Sequence, residues 1–230
     1  MKLQFAHLLF AACLVTACAK DLGSIAHPTP KDPVYLKASD LSTVRAAFPK
    51  PPATGSKEQA TDEKAMHEIM QKRTKTECDR AQTEAHVSLA NFYGAPYGVL
   101  TTAEVEKLSP FFLRLRNDAD VFIQPLKVEN ARQRPFVYMK GVEACVSKEL
   151  TLSYPSGHAT LAKLYADVLS VIYPDRASKF QARALELAND RVLAGVHHPS
   201  DIAAGRILAD LLFKDFAKSE TYRADLAKLK

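Results

Sequence analysis

The stretch Ser156-Gly157-His158-Ala159-Thr160-Leu161-Ala162-Lys163-Leu164-Tyr165-Ala166-Asp167-Val168-Leu169-Ser170-Val171-Ile172-Tyr173-Pro174 carries the clearest structural signal in the chain. Leu161, Leu164, Tyr165, Val168 and Leu169 recur at the 3.6-residue spacing of a helix that buries one face. Ser156 is placed to cap that helix and Pro174 to stop it just after Tyr173. Working outward, residues from Asp175 to about Gly195 predict a second helix that ends on a glycine. Pro199-Ser200-Asp201 starts a third, with Ile202, Ile207, Leu208, Leu211 and Leu212 as its apolar face, and a charged last helix follows Ser219. Upstream, Thr101 and Glu104 have the spacing of a capping box for a helix running towards Asn130, expected to break or restart at Pro110. Another helical segment is expected from about Thr61 to Phe92, ended by Gly94-Ala95-Pro96-Tyr97-Gly98, and residues 131 to 155 read as irregular. No stretch alternates as a strand would, so the expectation is an all-α, bundle-like single domain.

Composition agrees with that class. The 230 residues are 47% hydrophobic, with no Trp and only 8 Gly, enough to bury one sizeable core. The net charge of +5 comes from basic residues scattered among acidic ones, with no Lys/Arg block. That distribution excludes a nucleic-acid-binding surface and suits a small anionic partner.

The N-terminus reads as an export signal over residues 1–17: Met1-Lys2, then the short apolar run from Leu8 to Ala17. It is too short to span a bilayer, and no later run approaches the ~20 apolar residues a span needs. Val15-Thr16-Ala17-Cys18 resembles a bacterial lipobox, in which Cys18 becomes a lipidated first residue; cleavage after Ala17-Cys18-Ala19 is the alternative. Membrane association is expected only through such an anchor. Residues 18–57 hold Pro28, Pro30, Pro33, Pro49, Pro51 and Pro52 and read as an extended arm ahead of a domain over 58–230. Two cysteines remain beyond the signal region, Cys78 and Cys145, and in an exported chain they suggest a disulfide, with two buried thiols as the alternative. The sequence carries no mark of oligomeric state.

The candidate chemistry lies in three fragments. Lys127 is followed after six residues by Arg134-Pro135; Tyr154-Pro155-Ser156-Gly157-His158 opens the helix quoted above; Arg191 precedes His197, His198 and Asp201. Arg134 and Arg191 offer planar forks for oxyanions, Lys127 adds a point charge, and Ser156 and Gly157 lie where helix-start N–H groups face outward. Two histidines and a carboxylate complete an inventory suited to a phosphate ester. Asp201, four residues after His197, can orient that imidazole and stabilise positive charge on it.

Together the fragments resemble the three-part signature of the type 2 phosphatidic acid phosphatase (PAP2) superfamily, and most of all its soluble bacterial class A acid phosphatases, over roughly residues 45 to 215. The resemblance implies a fold shared with vanadium haloperoxidases and hydrolysis of small phosphate monoesters without a metal or other cofactor. It implies that His197 forms a phosphohistidine, that His158 protonates the leaving oxygen, and that Lys127, Arg134, Ser156, Gly157 and Arg191 hold the phosphate. One departure stands out: Asp190 takes the place of the Ser that usually precedes the third-fragment Arg. A carboxylate there would repel phosphate, so Asp190 is expected to turn away or to pair with a cation. His198 is expected to be structural, and His67 and His86 to sit within helices. A metal site at His197, His198 and Asp201 lacks a second His at helical spacing, and three cations beside it would repel a metal ion. The rival readings are a lipid phosphatase, a vanadate-dependent haloperoxidase (for which the chain is short) and a non-catalytic phosphate-binding lipoprotein. Lipidation is directly testable: labelled fatty acid should appear on the wild type and vanish in Cys18→Ser, whereas an unlabelled protein beginning at Lys20 excludes it.

Overall fold

The computed structural model describes residues 33–230. The expected signal segment 1–17, Cys18 and the arm up to residue 32 lie outside the described residues. Among the described residues there are helices and no strands. The α-helices in order are α1 (Leu41–Ala47), α2 (Lys57–Lys72), α3 (Lys75–Thr83), α4 (Leu89–Tyr93), α5 (Thr102–Asn130), α6 (Pro135–Tyr138), α7 (Gly157–Ile172), α8 (Ala177–Leu193), α9 (Pro199–Lys218) and α10 (Glu220–Ala227).

The helix expected from the quoted stretch is α7, and it is the centre of the bundle. Protein surrounds it on nearly every side: Ala159, Leu161, Ala162, Leu164, Tyr165, Ala166, Val168 and Leu169 are all buried. The Tyr93 hydroxyl at the end of α4 donates to the Ala162 carbonyl at 2.6 Å, which ties that short helix to the middle of α7. A helix that is apolar over most of its circumference is an interior helix, and α7 packs chiefly against α8 and α9.

Helix α5 differs from expectation at Pro110, where it neither breaks nor restarts. It runs unbroken through Pro110 and Pro125, capped as predicted by Thr101 and Glu104. Pro110 is exposed and Pro125 only part-buried, so both stand on the outer side of the helix, where water can serve the carbonyls they leave unbonded. The inner side buries Leu108, Phe111, Phe112, Leu115, Ala119, Phe122, Ile123 and Leu126. The segment expected as one helix from Thr61 to Phe92 is three. It stops at Arg73 because Thr74 caps a new helix, its hydroxyl accepting from the Glu77 N–H while the Glu77 carboxylate accepts from the Thr74 N–H. On α9, Ile207 is exposed rather than buried with Ile202, Leu208 and Leu212.

The described part of the Pro-rich arm contains α1 and packs into the main core through Tyr35, Leu36, Val44 and Phe48. Asp118, buried on α5, fastens it by accepting from the N–H groups of Val34, Tyr35 and Leu36 at 2.8, 2.6 and 3.0 Å. Cys78 on α3 and Cys145 in the segment before α7 form a disulfide across 67 residues of chain. No described helix is long and apolar enough to cross a membrane.

Gly205 on α9 sets how closely the start of α7 approaches. A Cβ at that position would lie 2.6 Å from the Ser156 carbonyl oxygen and 3.0 Å from the Ala159 Cβ. Both neighbours belong to packed backbone or a stub side chain and have little room to yield. Gly205→Ala should therefore destabilise the fold by about 1–3 kcal/mol, the usual cost of overpacking. Denaturant unfolding measures it, and a variant as stable as the wild type would show that α7 and α9 are free to separate.

Candidate active site

The last turn of α5, the first turns of α6, α7 and α9, and the end of α8 meet at one end of the bundle. Lys127 comes from α5, Arg134 caps α6, Ser156 caps α7, and Gly157 and His158 are its first residues. Arg191 lies in the last turn of α8, and His197 and Asp201 flank the start of α9. Gly195, with φ of +76°, turns the chain between them. The sequence-predicted residues are thus gathered around one cavity of about 300 Å³. Lys127, Gly157, His158 and His197 line it; Arg134, Ser156, Arg191 and Asp201 are buried behind.

His197 has a definite tautomer. Arg134 Nη1 stands 3.1 Å from His197 Nε2, and a guanidinium can only donate, so Nε2 is the acceptor and carries a lone pair. The proton is therefore on Nδ1, which faces Ser153 Oγ at 3.3 Å and Asp201 Oδ2 at 3.4 Å. Asp201 is held in turn. Its Oδ1 accepts from Arg132 at 2.7 Å, and its Oδ2 accepts from Ser153 Oγ at 2.6 Å and the His198 N–H at 2.8 Å. Burial would favour the neutral acid, but hydrogen bonds from His197 and His198 hold Asp201 well below the usual carboxylate range.

His158 donates through Nε2 to the Ala85 carbonyl at 2.9 Å, which leaves Nδ1 as the nitrogen able to exchange a proton at the site. Burial, then Arg191, lowers its proton affinity. Burial and then Arg134 lower that of His197 to about 3. Lys127, also buried and beside Arg134, is lowered to about 7 while its Nζ donates to the Leu152 carbonyl at 2.5 Å. Arg191 donates to the Ala81 carbonyl, but its buried Nε has no partner among the described residues. Gly157 leaves room beside the site: a Cβ there would meet only Ile123 Cγ2, at an ordinary 3.6 Å. A site crowded with cations, one of them with an unpaired buried donor, is one that an anion would relieve.

Asp190 turns away and forms a two-pronged pair with Arg80, at 2.7 Å on each side. His198 is buried away from the cavity, bonded to Asp201 Oδ2 at 3.0 Å and to the Tyr138 hydroxyl at 2.9 Å. His67 lies within α2 as expected. His86, expected within a helix, sits instead in the bend between α3 and α4 and lines the cavity. Sequence reasoning misses Arg132, which bridges Asp201 to Asp62 on α2 at 2.7 and 2.8 Å. It also misses Ser153 and Glu149. Their only sequence signal is proximity to Arg134 and Ser156, which singles out no residue. Among the described residues no three His, Cys, Asp or Glu side chains converge as a metal site would require.

The helix ends thus bring three cations, two histidines and a buried carboxylate around one cavity, an arrangement suited to a phosphate ester. The PAP2 superfamily model matches residues 117–219. A non-specific acid phosphatase of Providencia stuartii is 30% identical over 213 residues, 88% of this chain and 85% of that one. An acid phosphatase of Zymomonas mobilis is 31% identical over 169 residues, 69% of this chain and 63% of that one. A bacterial vanadium-dependent iodoperoxidase shares the fold, with a TM-score of 0.57 at 13% identity over 80% of this chain and 53% of that one. The chain belongs to the PAP2 superfamily and is a phosphatase.

The buried imidazoles carry a stability signature. They titrate at ~6.5 when unfolded, so the unfolded chain binds more protons below that pH. A depressed folded value of about 3 for His197 means that stability falls as pH drops through the window between the two. The melting temperature should decline between about pH 6.5 and 4.5, and decline less in His197→Gln. A flat profile in the wild type would contradict a neutral buried His197.

Proposed function

We propose that the protein is an exported acid phosphatase that hydrolyses small phosphate monoesters through a phosphohistidine on His197, without a metal. The observation that carries this reading is the tautomer of His197, with its lone pair on Nε2 and its proton on the Asp201 side. Arg134, Arg191 and Lys127, with the Gly157 N–H, hold the phosphate oxygens as charge redistributes during transfer, while Ser156, whose own N–H is taken by the Asp201 carbonyl, caps the helix that presents Gly157. His197 Nε2 attacks phosphorus, the bond to the ester oxygen breaks, and His158 gives that oxygen a proton from Nδ1. His158 is neutral before substrate binds, and the charge of a bound phosphate raises its proton affinity so that it enters the reaction protonated. In the second step His158 takes a proton from water, the resulting hydroxide attacks phosphorus, and the bond to His197 breaks. Asp201 orients the imidazole and stabilises its charge in both steps.

The cavity walls favour small polar esters over lipids. His86, Arg116, Asp120, Gln124 and Glu149 line the cavity, where an acyl chain would desolvate charged groups. Export is supported by the signal-like residues 1–17 and by the Cys78–Cys145 disulfide, which fits an oxidising compartment. On this reading residues 18–57 form the arm and 58–230 the catalytic domain, with Cys18 as the lipid anchor.

The two histidines can be separated by the leaving group, with p-nitrophenyl phosphate turned over in the presence of a chelator. His197→Ala should abolish turnover of every ester. His158→Ala should lose about 10²–10⁴-fold on alkyl phosphates, the usual worth of a general acid, yet still release a burst of nitrophenolate, which leaves without a proton. A burst from His197→Ala and none from His158→Ala would reverse the roles. Loss of activity with the chelator would end the metal-free reading.

A further inference from the structure

Glu149 belongs to none of the three fragments, yet it stands in the middle of the site they build. All five N–H groups of Arg134 have acceptors within the protein itself. Nε donates to the Thr151 carbonyl at 2.7 Å, and Nη1 to the Val196 carbonyl at 2.9 Å and His197 Nε2 at 3.1 Å. Nη2 donates to Thr151 Oγ1 at 2.9 Å and to Glu149 Oε2. Two of these acceptors are backbone carbonyls, one is a hydroxyl and one an imidazole; Glu149 supplies the anion. Its other oxygen, Oε1, lies 3.9 Å from His158 Nδ1. One carboxylate therefore spans from the cation expected to grip a phosphate oxygen to the nitrogen expected to protonate the ester oxygen. It also lines the cavity, and its side chain is 38% exposed, so it has somewhere to go.

We propose that Glu149 is a built-in stand-in for the substrate anion: its carboxylate holds Arg134 in the free enzyme and must swing out, or take up a proton, when a phosphate ester enters. The proposal rests on the cradle reading given above. A phosphate dianion and a carboxylate competing for one guanidinium cannot both stay ionised there without a large penalty. Glu149 thus opposes the dianion and sets a condition for its entry. The same carboxylate keeps the charge of Arg134 from standing unpaired between turnovers.

The sign of the pH dependence follows. In the free enzyme burial favours the neutral form of Glu149, but the charge of Arg134, with Lys127 beyond it, outweighs burial and keeps it ionised, His158 and His197 being neutral there. A bound dianion draws on those same cations, so the proton affinity of Glu149 rises on binding. Anion affinity is then coupled to proton uptake and falls as pH rises. His158 and His197 contribute with the same sign, and Asp120 and Arg116 from α5 and His86 from the α3–α4 bend also face the cavity. The contribution of Glu149 must therefore be read by difference.

Sulfate is a suitable probe because it keeps two charges throughout the accessible range, so its pH dependence reports protein groups alone. Its affinity is measured by calorimetry between about pH 4.5 and 7.5 on the wild type, Glu149→Gln, Glu149→Ala and Arg134→Ala. Near neutral pH both Glu149 variants should bind sulfate about tenfold more tightly than the wild type, with a shallower loss of affinity as pH rises. Arg134→Ala should bind it more weakly. If Arg134→Ala weakens sulfate but neither Glu149 variant tightens it, the cradle stands and the stand-in is wrong. If Arg134→Ala leaves sulfate affinity unchanged, the cradle reading fails and this inference falls with it. Weaker sulfate binding in both Glu149 variants would make Glu149 a support of the cradle and overturn the proposal.

Discussion

The Asp201 carboxylate is fully buried and receives hydrogen bonds from Arg132, Ser153 and both the N–H and the ring of His198, with His197 Nδ1 just beyond at 3.4 Å. The carbonyl of the same residue accepts the Ser156 N–H at 3.1 Å. One residue thereby fixes the histidine at the start of α9 and the turn that opens α7. Through Arg132 it also reaches Asp62 on α2, which accepts from the Ser200 N–H at 3.1 Å. A buried charge is tolerated only when its hydrogen bonds are complete. Breaking such a pair from one side typically costs about 3–5 kcal/mol because the other charge stays buried. The surrounding helices are therefore held to one arrangement by the requirement that Asp201 keep all its partners.

Behind that carboxylate the balance reverses. Arg134, Arg191 and Lys127 stand close together, and their field, added to burial, keeps His158 and His197 neutral. Arg191 approaches Glu84 only to 4.0 Å, and among the described residues Arg191 Nε and Glu84 Oε2 both lack hydrogen-bond partners. Glu84 itself is raised by burial against the opposing charge of Arg183. The Arg80–Asp190 pair completes this wall and keeps Asp190 away from the cavity. An anion in the cavity would give Arg191 the acceptor its Nε lacks among the described residues, and proton affinities across the site change when one arrives.

The helices legible from sequence are those with strong periodicity and a chemical stop. Ser156 caps α7 with its hydroxyl on the Ala159 N–H, and Gly195 ends the α8 region with a positive φ, as their residue types imply. Pro110 misleads because a proline breaks a helix only when the bond it removes has no substitute, and on the outer side of α5 water supplies one. The break at Arg73-Thr74 is less visible than it should be, since Thr74 and Glu77 repeat the capping-box spacing recognised at Thr101 and Glu104. The motif positions are legible because chemistry restricts their residue types. Arg132, Ser153 and Glu149 are not, since they act through contacts between segments far apart in the chain, and no local pattern records such contacts.

The central claim is that His197 reacts through Nε2 because Asp201 and Arg134 fix its tautomer. The most direct measurement is to quench turnover in alkali, isolate the phosphorylated peptide and determine by NMR which nitrogen carries phosphorus. The account predicts phosphate on Nε2 of His197 alone. Phosphate on Nδ1, or on His158 or His198 instead, would contradict it.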